Sequence, residues 1–188
     1  LAKAVKRDHG LAMELWSTGE LHPRMLAVLI MDKKRLDPTA VDVLCADLAT
    51  HPEAEQTRIM EWLMANQLMK SVGGKRMIGS WEHSAVPLQR RTFWYLQARL
   101  RWTGQAAPDN TPDLLDALDA RMADEEPMVQ MMMNFTAGWI GVHQPEHRDR
   151  CVALGERTGL YEDEVVPRGC TPSYLPLFIA DQAAKAGT

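Results

Sequence analysis

The sequence predicts an all-α protein, an α-α superhelix of antiparallel helix pairs stacked side by side. Three observations predict it. Apolar residues recur at helical spacing in almost every segment, and proline stands at nearly every point where a new segment begins. No alternating run of strand length bounded by hairpin turns is present. The apolar stripes are too wide for isolated surface helices, so neighbouring helices must cover them.

Each element has its own signal. Asp8 to Glu20 carries Leu11, Leu15 and Trp16 on one face, with Gly19 placed to cap its end. His22-Pro23 opens RMLAVLIMD, apolar nearly all round and therefore buried between neighbours. Asp37-Pro38 is an N-cap with proline in the first helical position, and the helix runs to about Ala49 with Val41, Leu44, Cys45 and Leu48 inward. His51-Pro52 starts a fourth helix that reaches about Ser71, where Gly73-Gly74 is expected to break it. A short helical turn, Lys75 to Ser80, leads to Pro87–Thr103, aromatic on one side and arginine-rich on the other. Further helices start at Thr111-Pro112, Glu126-Pro127 and Gln144-Pro145. A loop, YEDEVVPRGCTPS, precedes a last helix from about Pro172 to Lys185.

Composition narrows the class. With 188 residues, 46% of them hydrophobic and 24% charged, the chain fits one domain over residues 1–188 and excludes disorder. Its longest apolar run, Met25 to Met31, is far short of a membrane span, and LAKAVKRDHG contains no secretory apolar core. Three cysteines, Cys45, Cys151 and Cys170, without CxxC spacing, argue against a disulfide framework or zinc knuckle and for a reducing cytoplasm. The net charge of −4 argues against non-specific coating of nucleic acid, yet the charges segregate. Lys70 to Arg101 holds seven basic residues against Glu82 alone, and Trp102 to Glu126 holds seven acids against Arg121 alone. One face could therefore be electropositive.

Few constellations suggest chemistry. Gly73, Gly74 and Lys75 lack the spacing and the following Ser or Thr of a phosphate-binding loop. His143 and His147 flank Glu146, but Pro145 starts a helix between them and removes the i, i+4 geometry of a metal pair, so neither metal nor cofactor is expected. Met131, Met132 and Met133 read as a helix buried on two sides. The six tryptophans (16, 62, 81, 94, 102 and 139) recur in successive helices beside Arg and Lys, a combination that packs cores and also lines nucleic-acid clefts.

ELWSTGELHPRMLAVLIMD resembles the signature of the DNA alkylation repair family, the AlkD-like HEAT-repeat proteins. Glu14, Leu15, Trp16, Gly19, Arg24, Leu26, Ala27 and Asp32 stand in register with its E-L-W-x-S-G-x-H-E-A-R pattern and closing acid. EWLMANQL resembles the family's W-D-x-x-D-Q segment, PLQRRTFWYL its K-R-A-G-F helix and MNFTAGWIG its N-W-A-x-R-x-I-G helix. VVPRGCTPSYLPLFIADQAAK is similar to the tail of a divergent branch that lacks the standard catalytic acid. Family members carry helices ahead of the first block, so the resemblance implies that N-terminal helices are missing before Leu1.

The resemblance implies a basic concave groove for duplex or damaged DNA, and in active members hydrolysis of the N-glycosidic bond of alkylated purines. That reaction leaves an oxocarbenium-like sugar, which a nearby carboxylate stabilises. Here the carboxylate position falls on Asn66 and the preceding acid on Leu63, while Trp62 and Gln67 still match. The cleft tryptophan falls on Phe135 and the DNA-contacting arginine on Gly138. Arg90, with Arg91 beside it, keeps a basic position. A shifted alignment would recruit Glu61, which sits about 140° around the helix from Asn66. The expected DNA-contacting set is Trp62, Asn66, Lys70, Lys75, Arg76, Arg90, Arg91 and Phe135, with no catalytic residue assigned. Three functions compete: a DNA-binding relative without the standard chemistry, an active glycosylase using another acid, and a helical scaffold for a protein partner. A groove filled by the chain's own C-terminal helix would favour the scaffold.

Overall fold

A computed structural model describes every residue except 106 and 188, and divides the chain into two compact units, Leu1–Thr92 and Phe93–Thr188. Among the described residues there are eleven α-helices and no strand. The first unit contains α1 (Ala2–Val5), α2 (His9–Ser17), α3 (Leu21–Ile30), α4 (Pro38–Leu48), α5 (Glu53–Asn66), α6 (Val72–Gly79) and the start of α7 (Pro87–Trp102). The second holds the rest of α7 with α8 (Thr111–Arg121), α9 (Pro127–His143), α10 (Arg148–Thr158) and α11 (Leu175–Ala186).

Capping explains the boundaries of the first unit. Asp8 accepts a hydrogen bond from the Leu11 N–H at 3.0 Å and starts α2, and Gly19, at φ +73°, turns the chain into α3. The Asp8 N–H donates to the Ile30 carbonyl at 3.0 Å, so the beginning of α2 lies against the end of α3 and the two helices are antiparallel. Asp37 caps α4 as expected, accepting from the Ala40 N–H at 2.8 Å, and Val41, Leu44, Cys45 and Leu48 are all buried.

Two expectations fail in the next stretch, for connected reasons. The fourth helix stops at Asn66 rather than near Ser71, because the buried Gln67 leaves the helical path. Its amide Nε2 donates to the carbonyls of Val28 and Met31, groups that the end of α3 leaves without helical partners. A 3-10 turn, Leu68–Lys70, follows. Gly73 and Gly74 do not break a helix; they lie in the first turn of α6, where the Ser71 hydroxyl accepts from the Gly74 N–H at 3.0 Å. Gly74 is there for space, since a Cβ at that position would stand 2.1 Å from the Leu68 carbonyl oxygen.

The second unit starts its helices at the expected prolines, with a 3-10 turn at Pro145–His147 before α10. Its last helix begins at Leu175, slightly later than the sequence implies, because Thr171–Ser173 belong to the preceding loop. Met132 and Met133 are buried while Met131 is half exposed. Three glycines form the seat for α11. A Cβ on Gly138 would meet the Phe178 ring at 2.6 Å, one on Gly141 the Ile179 Cδ1 at 2.6 Å, and one on Gly155 the Leu175 Cβ at 2.6 Å. The position where the resemblance sets an arginine is thus closed by Phe178.

Candidate nucleic-acid interface

The most family-like residues of the sequence build scaffold. Arg24 is 2% exposed, donates through Nε to the Trp16 carbonyl at 3.0 Å and pairs through Nη2 with Asp47. Its guanidinium carbon lies 5.1 Å from the Trp16 ring centroid, and the Trp16 indole N–H donates to the same Asp47 carboxylate at 2.8 Å. One carboxylate from α4 therefore ties α2 to α3. Arg24 and Trp16 are committed to this lock.

On α5, the half-buried Trp62 donates its indole N–H to the Met25 carbonyl at 3.0 Å. One turn later the Asn66 amide donates to the Trp62 carbonyl at 2.9 Å, which ties the side chain back along its own helix. Asn66 opens on a hollow of about 550 Å³ whose walls also include Gln67, Lys70, Lys6, Arg7 and Lys33. Four cations and two amides meet there, and no Asp or Glu is among the lining residues. Asp32 stands 3.8 Å from Arg7 as a loose pair. Lys6, Arg7 and Lys33 were missed by reasoning along the chain, although the doublet Lys6-Arg7 and the run Lys33-Lys34-Arg35 carried the signal.

The other expected contacts are dispersed. Lys75 and Arg76 are exposed on α6, and Arg76 faces a different hollow shared with Asp42, Trp81 and Gln89. Arg90 donates to the Ser84 carbonyl at 2.8 Å. Arg91 is not an open surface cation. It is 6% exposed, and its Nη2 reaches Glu61 at 2.6 Å. Glu61, the acid a shifted alignment would recruit, is therefore spent on that ion pair. Phe135 belongs to the second unit.

There Phe135 joins an aromatic cluster. Its ring meets Trp102, Trp139 and Phe178 edge-on at centroid distances of 6.3, 5.8 and 6.0 Å, while Trp102 and Trp139 are nearly parallel at 6.0 Å. His143 stacks on Trp139 at 5.4 Å from the end of α9. Beside the cluster is a cavity of about 520 Å³, lined also by Tyr161, Glu164 and the Thr171–Ser173 loop. Burial, and then the Glu164 carboxylate, hold the Tyr161 phenol above its ordinary range, so it remains a neutral hydroxyl.

The thiols separate by burial. Desolvation pushes Cys45 and Cys151 up to about 12, while Cys170 is exposed. At about pH 8 the folded protein is expected to present one thiol to an aromatic disulfide reagent, and three after denaturation. Rapid reaction of two thiols in the folded state would contradict the burial.

Among the described residues no group of His, Cys, Asp and Glu could hold a metal ion, and no helix is long and apolar enough to cross a membrane. No curated protein matches the chain. A solved structure, described as a new family of proteins related to the HEAT-like repeat DNA glycosylases with affinity for branched DNA structures, superposes with a TM-score of 0.70. It shares 17% sequence identity, and the match covers 99% of this chain and 77% of that one. The fold is accordingly that of a HEAT-like helical-repeat protein. A family model described as DNA alkylation repair enzyme matches residues 1–151. With that match spanning most of its length, the chain belongs to the DNA alkylation repair enzyme family.

Proposed function

We propose that this protein binds duplex or damaged DNA through the cationic surface around Asn66 and does not hydrolyse the glycosidic bond there. The observation that carries the reading is the hollow itself, where Lys6, Arg7, Lys33 and Lys70 surround an amide and no carboxylate lines the wall. Cations gathered in this way suit phosphates. An amide is neutral at every pH, so it gives a developing sugar cation far less stabilisation than an anion. The loss of comparable electrostatic groups costs about 3 kcal/mol in barrier. Lys75, Arg76 and Arg90 extend the phosphate contacts in the same unit, Trp62 offers a ring to bases, and Arg91 supports Glu61 from within. The relative's stated affinity for branched DNA adds junctions to the substrates worth testing. Free thiols suit a reducing cytoplasm.

The test is a salt series of dissociation constants for plain duplex, methylated duplex and a four-way junction, combined with an assay for released methylpurine. Binding is expected to weaken steeply with salt. Lys33→Ala with Lys70→Ala should lower affinity by about tenfold and reduce the slope of log K against log salt by about 2. A flat salt response, or an unaffected double variant, overturns the binding site. Base release by the wild-type protein overturns the absence of cleavage.

A second reading, the scaffold for a protein partner, draws on one observation: Phe178 of α11 covers Gly138 and touches Phe135, the face on which the resemblance sets DNA contacts. Salt-independent DNA binding would leave this reading standing.

A further inference from the structure

The aromatic cavity of the second unit has no part in the DNA reading, and much of it is built from residues outside the family match. Tyr161, Glu164 and Phe178 all lie beyond residue 151. The cavity is thus shared between the matched region, which supplies Trp102, Phe135 and Trp139, and the tail.

The walls select a charge. Trp102 and Phe135 supply aromatic rings, whose faces carry partial negative charge, and Trp139, stacked against Trp102 and His143, backs them. Glu164 adds a formal negative charge, fixed in place because its Oε2 accepts from the Ser173 N–H at 2.8 Å. The buried Asn134 oxygen, in the same wall, has no hydrogen-bond partner, and neither has the Trp139 indole N–H. No Lys, Arg or His is among the lining residues. A phosphate would meet a carboxylate there with nothing to neutralise it, and a neutral hydrocarbon would leave Glu164 and Asn134 unanswered. An organic cation answers the rings and the carboxylate, and the polarised C–H groups of N-methyls can lie against the amide oxygen.

Backbone strain marks the same place. Tyr161 has φ +65°, and with Lys6 it is one of two described non-glycine residues in the left-handed region. For a bulky residue that conformation is unfavourable, and such strain concentrates where a side chain must be aimed at a ligand. Tyr161 lines the cavity together with the tryptophans.

We infer that this cavity, between Trp102, Phe135, Trp139, Tyr161 and Glu164, is a binding site for the head of a methylated ammonium cation. The proposal stands independently of the DNA reading. Methylated ammonium suits the site better than a primary amine, because its weak hydration is easily exchanged for ring faces. The cation could be a free small molecule or a methylated lysine side chain, and the two sources are separated by the probes.

The full chain would be titrated, at constant ionic strength, with tetramethylammonium and with choline, observing the ligand by NMR. The same titration would be run with 3,3-dimethylbutanol, the uncharged counterpart of choline, and with a short peptide bearing trimethyllysine. Saturable binding is expected in the millimolar range or tighter, with the uncharged alcohol about tenfold weaker or worse. Trp102→Ala should reduce affinity by about tenfold, and Glu164→Gln by about threefold. Trp102 is 47% exposed and Glu164 is exposed, so both variants are expected to fold, which their melting curves check. Tighter binding of the peptide assigns the side chain as the source; equal binding assigns the free cation. Absence of saturation by about 10 mM, equal binding of the alcohol, or indifference to Trp102→Ala overturns the proposal.

Discussion

Gly74→Ala is expected to destabilise the protein by about 3 kcal/mol or more, lowering the melting temperature by about 6–12 °C for a chain of this size. The new methyl would sit 2.1 Å from the Leu68 carbonyl oxygen and within 3 Å of two further Leu68 backbone atoms. Backbone cannot step aside as a flexible side chain can, so α6 must separate from the 3-10 turn before it, and Ser71 loses its cap on Gly74. Gly73 is the control. It is exposed, a Cβ there would meet nothing within 4 Å, and it occupies the same helical turn. Gly73→Ala should therefore stabilise by about 0.5–1 kcal/mol through reduced freedom of the unfolded chain. Thermal melts of the two variants side by side decide the matter, and equal shifts of the same sign would refute the close approach.

Asp47→Ala should cost about 2–3 kcal/mol, because it leaves Arg24 charged and buried without its counter-ion. Asp47 is 41% exposed, so water offsets part of the loss and keeps it below that of a fully enclosed pair. The Trp16 indole would lose its acceptor in the same substitution. Asp47→Asn retains an acceptor without the charge and should lie between wild type and Asp47→Ala. Combining Arg24→Met with Asp47→Ala should be less damaging than the sum of the two, since the stranded charge is removed. Urea unfolding measures all four variants. A midpoint for Asp47→Ala indistinguishable from wild type would show that the lock contributes nothing.

Both substitutions bear on what the sequence could disclose. Helix starts were legible because Asp37-Pro38, Thr111-Pro112 and Glu126-Pro127 carry local instructions that need no partner. Gly74 was misread because its reason lies in a backbone six residues away, visible only once α6 has turned against the Leu68–Lys70 segment. Gln67 was recognised as a match, but its task at the end of α3 spans 39 residues and has no local sign. The candidate site divides in the same way. Asn66 could be named from the sequence because it stands four residues after Trp62 in the segment that resembles W-D-x-x-D-Q, and Lys70 follows it closely along the chain. Lys6, Arg7 and Lys33 reach the same hollow from elsewhere in the chain. Arg91 was read as a DNA contact because its partner Glu61, 30 residues earlier, could not be paired with it by spacing alone.

The seat of the last helix has a consequence for descent. Phe178, Ile179 and Leu175 pack where Gly138, Gly141 and Gly155 have no side chains, and a larger residue at any of those glycines would force the tail to shift. Lineages can exchange a loosely attached terminal extension freely, but not one moulded into its host this closely. A change at either partner calls for a matching change at the other, so a homologue with an arginine in place of Gly138 should end differently, its C-terminus running elsewhere or carrying a smaller residue than Phe178.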